Sequence, residues 1–289
     1  FQFIIIIILL LICFYNIFNY DFVSYKYISI NSGFLLSAKY IPNYTSGITF
    51  FIAVAATNLF HQGNWQRVFA AKNYEVLKKS LKLSFLIIVP IVFLMGTVGI
   101  IAISFDNKIN PDLAFFSILL KDKSELLCII IIILAISLTV STVDTLVNAI
   151  SSLIIVDGKK INKKLKFPNI LVICLSIIAF FVASKGFSIL YLFLLADLLC
   201  CAAVFPVFYG FYSKKFKEIY AIKSILFGLI LGLLIFPSPD FNQSLLIGTL
   251  LPFDLFPSII SNFMLFWSFF VATLGPAIVI IANDSFKRR

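Results

Sequence analysis

Apolar residues in this chain gather in long unbroken runs. They occupy 1–18, 48–69, 81–105, 126–156, 170–184, 189–212, 220–236 and 259–282, and several exceed the roughly 18 residues that mark a membrane-spanning helix. Lipid offers no partner to a free backbone amide, so uninterrupted apolar stretches predict helices. The alternation over roughly 10 residues that marks a membrane β-barrel is not visible. The pattern therefore predicts an all-α integral membrane protein with about eight transmembrane helices. Only Lys185, Gly186 and Phe187 separate the fifth run from the sixth. The stretch 245–256 is apolar but contains Pro252 and Asp254, and reads as an outer loop or a short re-entrant piece. Pro90 and Pro206 fall inside spans and predict kinks.

Composition agrees. Of 289 residues 61% are hydrophobic and 12% charged, with mean hydropathy +1.07; a soluble domain is nearer half apolar and one quarter charged. The five cysteines (Cys13, Cys128, Cys174, Cys200 and Cys201) lie in apolar spans without metal-ligand spacing and read as small packing residues. The chain begins at Phe1, inside an apolar run and without a basic leader, which predicts a fragment of a longer reading frame.

The net charge of +10 takes its meaning from where the charges lie. Basic residues crowd alternate loops: Arg67, Lys72, Lys78, Lys79 and Lys82; then Lys159, Lys160, Lys163, Lys164 and Lys166; then Lys214, Lys215, Lys217 and Lys223; then the tail, Lys287, Arg288 and Arg289. The intervening loops hold only Lys26, Lys39, Lys108, Lys121, Lys123 and Lys185. They also hold the acids Asp21, Asp106, Asp112, Asp122, Glu125, Asp240 and Asp254. Cytoplasmic loops are the basic ones, so both ends of the chain are expected in the cytoplasm, and the second, fourth, sixth and eighth spans run inward. The charge is thus topology, with no nucleic-acid footprint beside it.

Chemistry in a membrane protein is best sought among polar groups inside spans, because an ionisable residue there costs about 2.5–3.5 kcal/mol to insert. The fourth span is purely apolar in its first half. Its second half carries Ser137, Ser141, Asp144, Thr145, Asn148 and Ser152, at steps of three and four that line one helical face. Such an oxygen-rich stripe can coordinate a small hard cation, although single Ser and Thr residues also serve helix contacts in membranes. The second span is interrupted by Thr57-Asn58-Leu59-Phe60-His61-Gln62-Gly63-Asn64-Trp65-Gln66-Arg67. A broken helix exposes amides and carbonyls that can bind substrate, and survives at membrane depth only where it lines a cavity. His61 is the only histidine, and reads either as a packing or interfacial residue or as a proton carrier. Asp197, inside the sixth span, either lines a substrate path or is a paired structural acid. No phosphate loop, zinc spacing, nucleophile elbow or acid–base constellation is found, so no enzyme is expected. The sequons Asn43-Tyr44-Thr45 and Asn242-Gln243-Ser244 are expected in outer loops.

Three segments carry a family resemblance. The stretch 58–72 (Asn58-Leu59-Phe60-His61-Gln62-Gly63-Asn64-Trp65-Gln66-Arg67 and onward), the run Ser141-Thr142-Val143-Asp144-Thr145-Leu146-Val147-Asn148-Ala149, and Leu194-Leu195-Ala196-Asp197-Leu198-Leu199 followed by Phe205-Pro206 resemble the sixth, eighth and tenth core helices of the sodium/solute symporter family. The resemblance covers 46–212. His61-Gln62-Gly63 and Trp65-Gln66-Arg67 lean toward its urea-transporter-like branch. It implies a fold of two inverted five-helix repeats with broken helices. This chain would supply 1–18 as the last helix of the first repeat, 46–212 as the second repeat, and 213–289 as two peripheral helices with an outer loop and short tail. It further implies a sodium ion held by the hydroxyls of Ser141 and Thr142 and the carbonyl of Leu138. The other half of that site would come from the missing N-terminal repeat, so the chain by itself is not expected to transport. Thr57, Asn58 and His61 would contribute to the substrate path, to which Asp144 and Asp197 are added as intramembrane acids. The expected function is sodium-coupled uptake of a small polar solute (urea, an amino acid, a sugar or similar) by alternating access, in a plasma or inner membrane. A transporter-like sensor module and an inactive truncated product are the alternatives.

Overall fold

The computed structural model describes residues 2–19, 33–105, 109–110, 113–120, 124–161, 168–213, 216–244, 246 and 258–287. The regular elements among them are helices: α1 (Gln2–Asn19), α2 (Ile41–Phe60), α3 (Gln62–Phe69), α4 (Tyr74–Phe105), α5 (Ala114–Leu119), α6 (Glu125–Ile161), α7 (Pro168–Ala183), α8 (Ile189–Tyr212), α9 (Glu218–Ile235), α10 (Ser258–Asn262) and α11 (Met264–Lys287). Five helices, α4, α6, α8, α9 and α11, are long and apolar enough to cross a membrane, and α1 and α7 hold shorter apolar stretches. The shortest of the five, α9, has 18 residues, about 27 Å of helix at the standard rise, close to the hydrocarbon thickness of a bilayer. Leu83, Phe85, Leu86, Val92 and Phe93 of α4 are exposed on the chain's own surface, as expected where lipid is the solvent.

Most of the apolar runs became helices near the expected limits, with three informative differences. The run 48–69 is two helices, and the first begins seven residues earlier. Pro42 sits in the first turn of α2, where its missing amide is harmless and its fixed φ favours the helix. The sequon Asn43-Tyr44-Thr45 is therefore helical and not in a loop, and the Thr45 hydroxyl donates to the Pro42 carbonyl at 3.1 Å. The run 81–105 is extended back to Tyr74 because the Asn73 side chain accepts the Val76 amide at 2.9 Å, a side-chain cap on the exposed first turn. Lys78, Lys79 and Lys82 consequently ride on a helix. The run 259–282 is split at Phe263 into α10 and α11, and the Trp267 indole donates to the Ile259 carbonyl across the split at 3.1 Å. The link between the fifth and sixth runs is short, as expected: Gly186, at φ +67, lies between α7 and α8. Pro90 and Pro206 sit within continuous helices. The stretch 247–257 and Lys163, Lys164, Lys166, Lys214, Lys215, Arg288 and Arg289 lie outside the described residues.

The chain divides into two compact units, residues 1–39 with 62–178 and residues 40–61 with 179–289. In the first, α1 packs against α4, α5 and α6, and α3 packs against α6. Its core is Leu9, Cys13, Ile17, Val98, Ala102, Ile118, Leu119 and Leu134. Among the polar residues buried in this unit is Asn16, 3% exposed, whose amide donates to the carbonyls of Ile118 and Leu119 at 3.2 and 3.3 Å. Those carbonyls end α5 and have no following helical turn to bond them. Asn16→Leu should therefore destabilise the protein by about 1–3 kcal/mol, read as a lower unfolding temperature in detergent, whereas a surface Asn→Leu on the same helix should not.

In the second unit α9 and α11 form the tightest contact, and α8 packs on α2, α9 and α11. The buried core joins Ala53 and Ala56 of α2 to Tyr191, Leu194, Leu198 and Cys201 of α8, and to Phe236, Phe269 and Ala272. Gly228 and Gly232 let α9 approach α11: a β-carbon at Gly228 would lie 2.6 Å from the Pro276 ring and 2.8 Å from the Ala272 carbonyl oxygen. The buried Ser268 hydroxyl donates to the Gly232 carbonyl at 2.8 Å, a bond across helices of the kind membranes favour. The loop after α9 folds back on itself through the Pro237–Ser244 bridge. There the buried Ser244 hydroxyl donates to Leu234 at 2.8 Å. The second sequon is thus in a loop, with its serine hydroxyl already engaged.

Candidate functional site

Two groups of polar side chains stand out, one in each unit. In the second unit the group begins where α2 stops. The Asn58 side-chain amide donates to the Val54 carbonyl at 2.8 Å, competing with the backbone ladder in the last turn. His61 then leaves the helix at φ −73, ψ 106, and α3 starts at the next residue. The interruption expected over 57–67 is thus a one-residue break at His61. Ending a helix there releases its last carbonyls from the i+4 ladder.

One turn before the break, the Thr57 hydroxyl donates a hydrogen bond to the Asp197 carboxylate. Asp197 lies in the middle of α8 and is 7% exposed. The Cys200 thiol, one turn along α8, shares a hydrogen bond with Thr57, and the Cys201 thiol donates to the Ile52 carbonyl at 3.8 Å. The His61 Nδ1 is buried without a hydrogen-bond partner among the described residues. Toward the start of α2, along the same pair of helices, lies a cavity of about 210 Å³ lined by Thr45, Ser46, Thr49, Phe50, Leu194 and Phe263, among others. Buried Ala53 and Ala56 carry the packing of α2 on α8 between that cavity and Asp197.

In the first unit the group is the oxygen-bearing face of α6. Ser141, Thr142, Asp144 and Asn148 are exposed, and Ser137, Thr145 and Ser152 half-buried. The Thr142 hydroxyl donates to the Leu138 carbonyl at 2.8 Å, and the Thr145 hydroxyl to the Ser141 carbonyl at 2.9 Å. The Asn148 amide donates to Asp144 at 3.4 Å. Farther along, the Gln66 amide of α3 donates to the Ser152 hydroxyl at 2.8 Å, so the segment after the break meets the end of the stripe. Hydroxyls that bond back to i−4 carbonyls are satisfied within one helix, yet each keeps lone pairs for a cation.

Of the residues singled out by sequence, Thr57 and Asp197 are brought into contact, Asn58 and His61 sit at the break beside them, and Leu138, Ser141, Thr142 and Asp144 share the α6 segment. Cys200 was read only as a packing residue, because a cysteine in an apolar span carries no further signal until its neighbours are known. Cys13 and Cys201 are buried, as packing residues should be, whereas Cys174 is exposed.

Among known proteins, the chain is similar to the spermidine transporter DUR31 of Candida albicans, 28% identical over 246 residues. The match takes in 82% of this chain and 47% of that protein, so the chain spans about half the length of its relative. No family model matches the chain, and no solved structure matches it. Its apolar helices and this similarity make it a multi-span helical membrane protein related to a membrane transporter.

Proposed function

We propose that the chain is the C-terminal part of a secondary transporter that couples sodium entry to uptake of a small polar solute by alternating access. The observation that carries this reading is the break at His61. Helix ends inside a bilayer persist only where they line a cavity, and paired half-helices are the usual substrate cradle of such carriers. The oxygen face of α6 supports the sodium half of the reading. It offers the carbonyl of Leu138 and the hydroxyls of Ser141 and Thr142, with Asp144 one turn along, and a carboxylate on that face is costly against lipid. Sodium is here a co-substrate: each ion moved inward releases about 2.3 kcal/mol per 100 mV before any concentration term.

In this reading 46–212 form the second five-helix repeat, 1–18 close the first, and 213–289 are peripheral, with both ends cytoplasmic at the plasma membrane. The solute for which the Candida protein is named moves the choice away from urea and toward an organic polycation such as spermidine.

The test is sodium-dependent uptake by the full reading frame. Ser141→Ala with Thr142→Ala should raise the half-saturating sodium concentration by about tenfold or more, as expected for losing two ligand oxygens. An unchanged sodium requirement would remove these residues from the site. Uptake by the unaltered protein that ignores sodium would refute the coupling itself.

A further inference from the structure

Asp197 is a carboxylate in the middle of a membrane helix whose hydrogen-bond donor is a neutral hydroxyl, and no described residue forms an ion pair with it. A carboxylate so nearly buried needs compensating positive charge or several donors. One turn beyond Thr57, at the same azimuth of α2, stands His61. Its φ of −73 is still helical, so its β-carbon falls about 6 Å from that of Thr57. Its buried Nδ1 finds no donor or acceptor among the described residues, which is expensive for a polar atom and unusual enough to require a reason. The two anomalies meet one helical turn apart on α2, an acid short of donors bonded to Thr57 and, at His61, a ring nitrogen without a partner among the described residues.

We propose that Asp197, Thr57 and His61 form a receptor for a protonated amine. Asp197 supplies the counter-charge, and the Thr57 oxygen and the His61 Nδ1 supply further acceptors. A primary ammonium carries three N–H donors, matching these three groups and leaving the carboxylate no longer uncompensated. A neutral solute such as urea brings no charge to balance Asp197. The half-buried Cys200 thiol, bonded to Thr57, forms part of the wall. The proposal rests on the transport reading above and names the class of solute for it.

The experiment is spermidine uptake by the full reading frame in cells, with spermidine-induced thermal stabilisation of the purified protein as a second measurement. Asp197→Asn keeps shape and removes charge. It should raise the KM for spermidine about tenfold or more, the worth of a charge-assisted hydrogen bond. Asp197→Glu should fall between, and the half-saturating sodium concentration should not move. Thr57→Val should raise the KM in the same sense, and carries the test if Asp197→Asn fails to reach the membrane. An unchanged KM in these variants overturns the receptor, as does a sodium requirement that shifts with the spermidine KM, since Asp197 would then serve the metal ion. If the unaltered protein carries urea but not spermidine, the receptor is overturned while transport stands. If no solute moves, stabilisation by spermidine that disappears in Asp197→Asn still supports the receptor, and its absence in the unaltered protein overturns it.

Discussion

Gly228→Leu should leave almost no folded protein, while Gly275→Ala, on the facing helix, should be close to silent. At Gly228 the obstacle to a β-carbon includes a backbone carbonyl, that of Ala272 at 2.8 Å, and a rigid proline ring at 2.6 Å. Neither can swing aside as a flexible side chain would. Overpacking of this kind commonly costs about 1–3 kcal/mol for modest additions and more for large ones. Leucine adds four carbons to a seam that also anchors α8. At Gly275 the nearest atoms stand at 3.5 Å, ordinary contact. The comparison is read from the fraction of solubilised protein that remains monodisperse after mild heating. Equal behaviour of the two variants would mean that α9 and α11 are not packed this closely.

The second large effect concerns proline. Ala56→Pro should unfold α2, whereas Gln62→Pro, six residues later, should fold normally. Ala56 is interior to α2 and buried against α8. Proline there removes an amide bond and drives its ring into the Ile52 carbonyl, a loss of about 3 kcal/mol or more. That carbonyl also accepts the Cys201 thiol. At Gln62, the first residue of α3, an amide has no helical partner to lose. The preceding residue, His61, already has the extended ψ of 106 that proline demands of its neighbour. Folded yield checks the pair, and failure of Gln62→Pro would show that the helix runs through His61 unbroken. In the transport reading, a folded Gln62→Pro variant that still carries solute would mean that the joint at His61 need not straighten during the cycle.

How much of this was legible beforehand follows the range of the interactions. Helix existence was, because an apolar run in lipid has little choice but to satisfy its own amides. The break was legible as a region, since Asn58, His61 and Gly63 are weak helix formers in succession, but its reduction to one residue depends on dihedrals that composition does not report. The α6 stripe was legible because its spacing is local. The Thr57–Asp197 contact was not: 140 positions separate the two, and each alone admitted a bland explanation. Asn16 was passed over for the same reason, its partners lying 102 and 103 positions away. Gly228 and Gly232 carry no signal in the sequence by themselves, and only the helix facing them gives them a purpose.

The division of α6 into an apolar half and a polar half also bears on how the span enters the membrane during synthesis. Asp144 by itself opposes insertion by about 2.5–3.5 kcal/mol. The isoleucines and leucines between 126 and 136 each favour it by about 0.3–0.6 kcal/mol, and together offset the acid. The half of the helix that carries no candidate chemistry is therefore what delivers the other half to the bilayer. Polar substitutions among those isoleucines would keep the protein out of the membrane and, in the transport reading, be mistaken in an uptake assay for damage to the site.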